Sequence, residues 1–198
     1  MWIPSDTEIR RLHERVAPTP EAFDSVWTHC EIVCRIAERL LDRLDLAVNI
    51  DLVRAGCLLH DIGVYRLYGR DGVLDHPNYI RHGLLGHELL RDEGYPDYLC
   101  RFCSCHTGVG VTRSDILDQG LPLPPGEYVP ATGEEELVMY ADKFHSKKSP
   151  PTFVSAGAYS VGVGRFGPAK VARFAELVGT YGEPDLFPLV EAYGHGLA

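Results

Sequence analysis

The stretch "RAGCLLHDIGVYRLYG", residues 54–69, decides how the rest of the chain is read. Ala55, Cys57, Leu58 and Leu59 form the apolar end of a helix, yet His60 and Asp61 follow at once. An imidazole and a carboxylate closing a core helix are costly to desolvate unless something satisfies them. Gly63, two residues on, fits a helix C-cap. The question the stretch poses is what His60 and Asp61 face.

On both sides of it, helical patterns dominate. "SDTEIRRLHERV" (5–16) opens with a capping candidate, Ser5, and spaces Ile9, Leu12 and Val16 helically. "TPEAFDSVWTHCEIVCRIAERLLDRL" (19–44) has Thr19 as N-cap, Pro20 at the first helical position and a sustained three-four apolar rhythm. "NIDLVRAGCLLHD" (49–61), "HPNYIRHGLLGHELLRDEG" (76–94), "PDYLCRFCSCHTG" (96–108) and "TGEEELVMYADKFHS" (132–146) continue the series. Acids in the first turn of the last suit its helix dipole. "GPAKVARFAELVGTYG" (167–182) and "PDLFPLVEAYG" (184–194) add two more in the tail. Segments 108–133 and 147–167, rich in Gly and Pro, are expected to be long loops. Alternating strand patterns are scarce, so the predicted class is all-α.

With 198 residues, 45% apolar and 24% charged, the composition is that of one ordinary globular domain. No apolar run is long enough to span a membrane. The N-terminus lacks the basic-then-apolar layout of a signal peptide, and a cytoplasmic protein without membrane partners is expected. A net charge of −9 argues against a nucleic-acid polymer as partner, which needs basic surface, while leaving room for a small anion at a metal site. Six cysteines are expected to be reduced and buried. "CRFCSCH" (100–106) has zinc-ligand residue types but no second paired motif, so small hydrophobes on a packed helix are the preferred reading.

The polar residues of the core helices form an ordered set: His29, His60-Asp61, His82, His106 and Asp142. A single helical histidine is usually an ordinary core or surface residue. Six such side chains on five successive helices are harder to treat that way. Four imidazoles and two carboxylates suit Mn, Fe, Co, Ni or Zn rather than Ca. Two such ions 3.5–4 Å apart, roughly, can clamp a phosphate for in-line attack.

This order resembles the HD-domain metal-dependent phosphohydrolases, in the subset with two additional histidines between the HD pair and the final Asp. "HDIG" matches the signature of one large subgroup; "HGLLGHELLRDEGYP" and "YADKFHS" look like its later segments. The resemblance covers about residues 23–146 and implies an HD-type helical bundle with a C-terminal helical extension, 147–198, in one domain of 1–198. It implies that His29, His60, Asp61 and Asp142 hold a first metal, while Asp61 bridges to a second held by His82 and His106. Asp61, His82 and His106 would then be the catalytic ligands, around a metal-bound hydroxide attacking a small phosphate ester, nucleotides being the leading class. Two departures stand out. Val64 occupies a position where many HDIG-type members carry Lys, and the Gly-Tyr-Pro of "EGYPDY" (93–98) lies on the wrong helix for the cyclic-dinucleotide phosphodiesterase signature.

For substrate contacts the candidates are Lys147, which must stay near the metals because Asp142 precedes it, Arg66 and His87. His87 lies about 140° round the helix from His82 at roughly 100° per residue, so both cannot reach one metal. Arg81, Lys143, Lys148, Arg165, His76 and His145 are further candidates; His13 and His195 are expected on the surface. Two other functions fit the ligand set: a mixed-valent diiron oxygenase of HD type, and a non-catalytic nucleotide-binding module. The oxygenase is disfavoured because Glu21 and Phe23 stand where some such enzymes have an acid–tyrosine pair. The module is disfavoured because degenerate members tend to lose ligands.

Overall fold

Capping chemistry sets the first two helices where the sequence places them. In the computed structural model, which describes residues 1–44 and 47–198, Ser5 and Glu8 form a reciprocal capping box on α1 (Asp6–Val16). Thr19 caps α2 (Pro20–Leu41), with Pro20 in its first turn. The long α2 buries Val26, Trp27, Cys30, Ile32, Val33, Ile36, Ala37 and Leu40 and runs through the core. Packed on it are α3 (Ile50–Leu59), capped by Asn49, and α7 (Gly133–Asp142), capped by Thr132. The pair α4 (His82–Asp92) and α5 (Asp97–Ser104) closes the other side. The remaining helices are α6 (Arg113–Gln119), α8 (Ala156–Val163), α9 (Pro168–Tyr181) and α10 (Phe187–Tyr193). The class is all-α, and among the described residues no helix is long and apolar enough to cross a membrane.

Several boundaries differ from the sequence expectation. α3 stops at Leu59, and Gly63 is not its C-cap; it sits inside a 3-10 segment, Ile62–Leu67, without a left-handed φ. A β-carbon there would overlap the carbonyl oxygen of His82 and the backbone nitrogen of Gly86, so close approach to α4 is what requires glycine. α4 begins at His82 rather than near His76, because a short 3-10 turn, Tyr79–Arg81, precedes it. The expected loop 108–133 contains α6, whose single buried side chain, Ile116, makes a weak periodic signal. The expected loop 147–167 contains α8, "AGAYSVGV", a composition of low helix propensity held by its Ser155 cap.

A small sheet joins the chain's final residues to the segment after α7. β1 (His145–Ser146) pairs antiparallel with β2 (Thr152–Phe153), and β2 pairs parallel with β3 (Gly196–Leu197). Phe153 opposes His145 on one side and Leu197 on the other, which anchors the C-terminal segment beside Asp142.

Candidate metal centre

The six polar residues meet at one place inside the bundle. His29 comes from the middle of α2, His60 and Asp61 from the end of α3, and His82 from the first residue of α4. His106 follows α5, and Asp142 ends α7. All are buried except Asp142, which is half-buried.

Asp61 divides the cluster in two. Its Oδ2 lies 3.2 Å from His29 Nε2 and 3.7 Å from His60 Nε2. Asp142 Oδ1 completes this half, 2.9 Å from His29 Nε2 and 3.5 Å from His60 Nε2. The other oxygen, Oδ1, lies 3.4 Å from His82 Nε2 and 3.5 Å from His106 Nε2. That oxygen is buried and has no hydrogen-bond partner among the described residues.

Tautomers follow from the outer nitrogens. The Nδ1 atoms of His60, His82 and His106 lie 2.7, 2.6 and 3.1 Å from the carbonyls of Cys57, Tyr79 and Phe102. A carbonyl only accepts, so each Nδ1 carries a proton, and the Nε2 atoms of His82 and His106 present lone pairs inward. His60, although burial opposes its charge, is held well above its ordinary value by Cys30, Asp61 and Asp142, and would offer its Nε2 only where a metal ion replaces that proton. Burial pushes His82 down to about 3 and lowers His106, so both rings are neutral near pH 7. Their Nε2 atoms are nonetheless 2.9 Å apart, lone pair against lone pair. This contact, with the partnerless Asp61 Oδ1 and the N/O donor set, fits a divalent transition-metal ion between the groups.

The charges around the centre are balanced by lysines. Burial alone would raise Asp61, but the Lys147 ammonium on its Oδ2, with His60, holds it well below the usual carboxylate range. Asp142, similarly opposed by burial, is held low by Lys143, whose Nζ lies 2.6 Å from its Oδ2 and also donates to the His106 carbonyl. A cavity of 760 Å³ opens onto the cluster, with His76, Tyr79, Lys143, Lys147, Lys148 and Tyr159 on its walls.

Not every candidate arrives there. Arg66 points away and pairs with Asp92 at 2.9 Å. His87 lies on the far face of α4, against Ser104 Oγ at 3.1 Å, as its angular separation from His82 requires. Arg165 lies over Phe166, and Arg81 is absent from the cavity wall. The cysteines take part in neither donor group among the described residues; Cys103 Sγ instead faces the Leu59 carbonyl. His13, expected on the surface, is fully buried between Tyr65 and the Leu58 carbonyl. His195, also expected outside, is half-buried against His145, which in turn touches His29. No local periodicity marks these histidines, since their partners are distant in sequence.

A match to the HD domain family covers residues 26–147. An uncharacterised protein of Methanocaldococcus jannaschii is 36% identical over 122 residues, 60% of this chain and 65% of that one. A tRNA (cytidine(56)-2'-O)-methyltransferase of Picrophilus torridus is 34% identical over 66% of this chain, which spans only 34% of that protein's length. Among solved structures, the HD domain of the L. monocytogenes phosphodiesterase PgpH aligns with 87% of this chain and 96% of its own, at 18% identity and a TM-score of 0.50. The same domain in complex with cyclic-di-AMP aligns equally well, at 17% identity. At that identity the likeness is one of fold.

Proposed function

The chain belongs to the HD-domain family of metal-dependent hydrolases, and on that premise we propose that it cleaves a phosphate ester of a small nucleotide at a pair of divalent transition-metal ions. The observation that carries this reading is the divided surroundings of Asp61: four donor residues, Asp61 among them, face one position and three, again with Asp61, face a second. His29, His60, Asp61 and Asp142 would hold the first ion, and Asp61, His82 and His106 the second. Two bound ions of this kind supply Lewis acidity, lowering the pKa of a water and neutralising phosphate charge.

The chain's own residues supply the rest. Asp61 and Asp142 are kept ionised by Lys147 and Lys143, so they remain ligands across the neutral range. Divalent ions added to those lysines would leave the cavity strongly positive inside an acidic protein, a field suited to an anionic substrate. Lys147 and Lys148 stand at the wall to take phosphate oxygens, Lys147 with its ammonium 5.5 Å from the Tyr79 ring centroid. The cavity also exceeds what a lone phosphate needs, which favours a substrate with a nucleoside part. The cyclic dinucleotide bound by PgpH belongs to the same chemical class. Methyl transfer, named for proteins of which this chain spans about a third, is not carried over.

The test is a screen of nucleotides, cyclic dinucleotides and sugar phosphates with Mn, Fe, Co, Ni, Zn and Mg in turn, beside metal analysis after anaerobic purification. Metal-dependent release of phosphate or of a linear nucleotide, abolished by chelation, is expected. Oxygen uptake with no phosphate chemistry would replace this reading with the oxygenase.

A further inference from the structure

Three of the four inward-facing imidazoles have their tautomer set by a main-chain carbonyl, as described above; His29 does not. Its Nδ1 lies 2.8 Å from Nδ1 of His145, and an imidazole nitrogen can either donate or accept. A second ring continues the line, with His145 Nε2 3.0 Å from Nδ1 of His195. The rings are stacked, with centroids 5.1 Å apart for His29–His145 and 5.2 Å for His145–His195. The middle and outer rings are held by the small sheet: His145 is the first residue of β1, and His195 immediately precedes β3.

Where each of the three rings carries one proton, all three tautomers are set together. With the His195 proton on Nε2, its Nδ1 accepts from His145 Nε2–H. His145 Nδ1 is then the acceptor and His29 Nδ1–H the donor, which leaves His29 Nε2, 2.9 Å from Asp142 Oδ1 and 3.2 Å from Asp61 Oδ2, with a lone pair for a metal ion in place of the proton it would otherwise donate to those carboxylates. The opposite sequence would put the His29 proton on Nε2, aimed into the donor cluster, and remove it as a ligand.

We propose that His145 and His195 are positioning residues, a two-ring line running from the C-terminal segment through β1 that holds His29 as an Nε2 donor to the first metal ion. This rests on the two-ion reading above. It gives the segment after residue 147 a part in the centre: through β3 it places the ring on which the last tautomer depends.

The experiment compares His145→Phe, His145→Gln, His195→Phe and His195→Gln with the wild type by Zn(II) competition titration. The Nδ1 and Nε2 resonances of His29 are read by 15N NMR on the Zn(II)-loaded protein. A Gln carbonyl can accept from His29 Nδ1–H, whereas Phe cannot. His145→Phe is expected to weaken one of the two ions by roughly 10–100-fold, with His145→Gln recovering most of that loss and the other ion unaffected. His29 should show a protonated Nδ1 and a zinc-bound Nε2. Wild-type affinity in His145→Phe, equal weakening by Gln and Phe, or a protonated His29 Nε2 would overturn the proposal. If His145→Phe fails to fold by circular dichroism, the His195 pair, nearer the surface, decides on the same readouts. A wild type that binds no ion at all would fail the two-ion reading itself. One that binds two ions with both Phe variants unchanged fails only this inference.

Discussion

The two oxygens of Asp61 stand in different surroundings, one with His29 and His60 and one with His82 and His106, so replacing this residue tests both halves together. Asp61→Ala should lose both ions by elemental analysis; a purified variant retaining two would overturn the bridging role. It should also lose about 3–5 kcal/mol of metal-free stability, because the Lys147 ammonium is left without its partner. His13 offers a test of pH dependence away from the ligands. Its Nε2–H donates to the Leu58 carbonyl, the Tyr65 hydroxyl donates to its Nδ1, and burial lowers it from 6.5 to about 3. The unfolded chain therefore takes up this proton first as pH falls. The contribution is whole above pH 6.5 and is lost progressively toward pH 3, at no more than about 1.4 kcal/mol per unit. In chelator, His13→Phe should flatten that part of the profile in urea denaturation. At pH 7 it should cost about 1–3 kcal/mol for the unpaired hydroxyl and carbonyl. An unaltered slope would mean that His13 is charged in the folded protein.

Between elements, the decisive contact is the crossing of the Ile62–Leu67 segment and α4. Gly63 touches the backbone of His82 and Gly86, and a β-carbon on Gly86 would come 2.9 Å from Cys103 Cβ on α5. Gly63 lets its segment close on α4 to backbone distance and Gly86 leaves room for the Cys103 side chain of α5, and His82 is carried on the middle element. Gly63→Ala should push α4 outward, cost roughly 1–3 kcal/mol and weaken the ion we propose at His82 and His106. The ion proposed at His29, His60 and Asp142 should stay. Thermal melting with metal titration checks this, and a variant with wild-type melting and two tight ions would show that the crossing tolerates a methyl group.

Over the whole molecule, the C-terminal helices seal the back of α7. Phe174 on α9 is buried, its ring centroid 4.6 Å from Tyr159 and 5.8 Å from Tyr140, while the Tyr140 hydroxyl donates to the Gly182 carbonyl at 2.6 Å. This packing leads us to propose that residues 1–198 fold as one cooperative unit. Phe174→Ala should then lower the single unfolding midpoint by an amount equivalent to about 3–5 kcal/mol. Two separate transitions, with only the first displaced, would make the extension an independent unit.

The helices and the identity of the six inward-facing residues were legible in the chain because capping residues and three-four apolar spacing are local. "HDIG", His82, His106 and Asp142 stand on that pattern in a readable order. The pocket lysines were legible in part: Lys147 follows from its nearness to Asp142, whereas its place on Asp61, 86 residues away, comes from how the chain turns after α7. Arg66 and His87 look equally suitable in sequence and are carried elsewhere, since the direction of a side chain depends on the element's rotation against its neighbours. Gly63 reads as a helix stop, yet its glycine is required by a backbone that belongs to another helix. The line from His29 through His145 to His195 joins residues 116 and 50 apart, by way of a sheet whose strands are two residues long. Strands that short leave no alternation to read. Their pairing, and with it the far side of the metal centre, exists only once the helices have packed and brought those backbones within hydrogen-bonding distance.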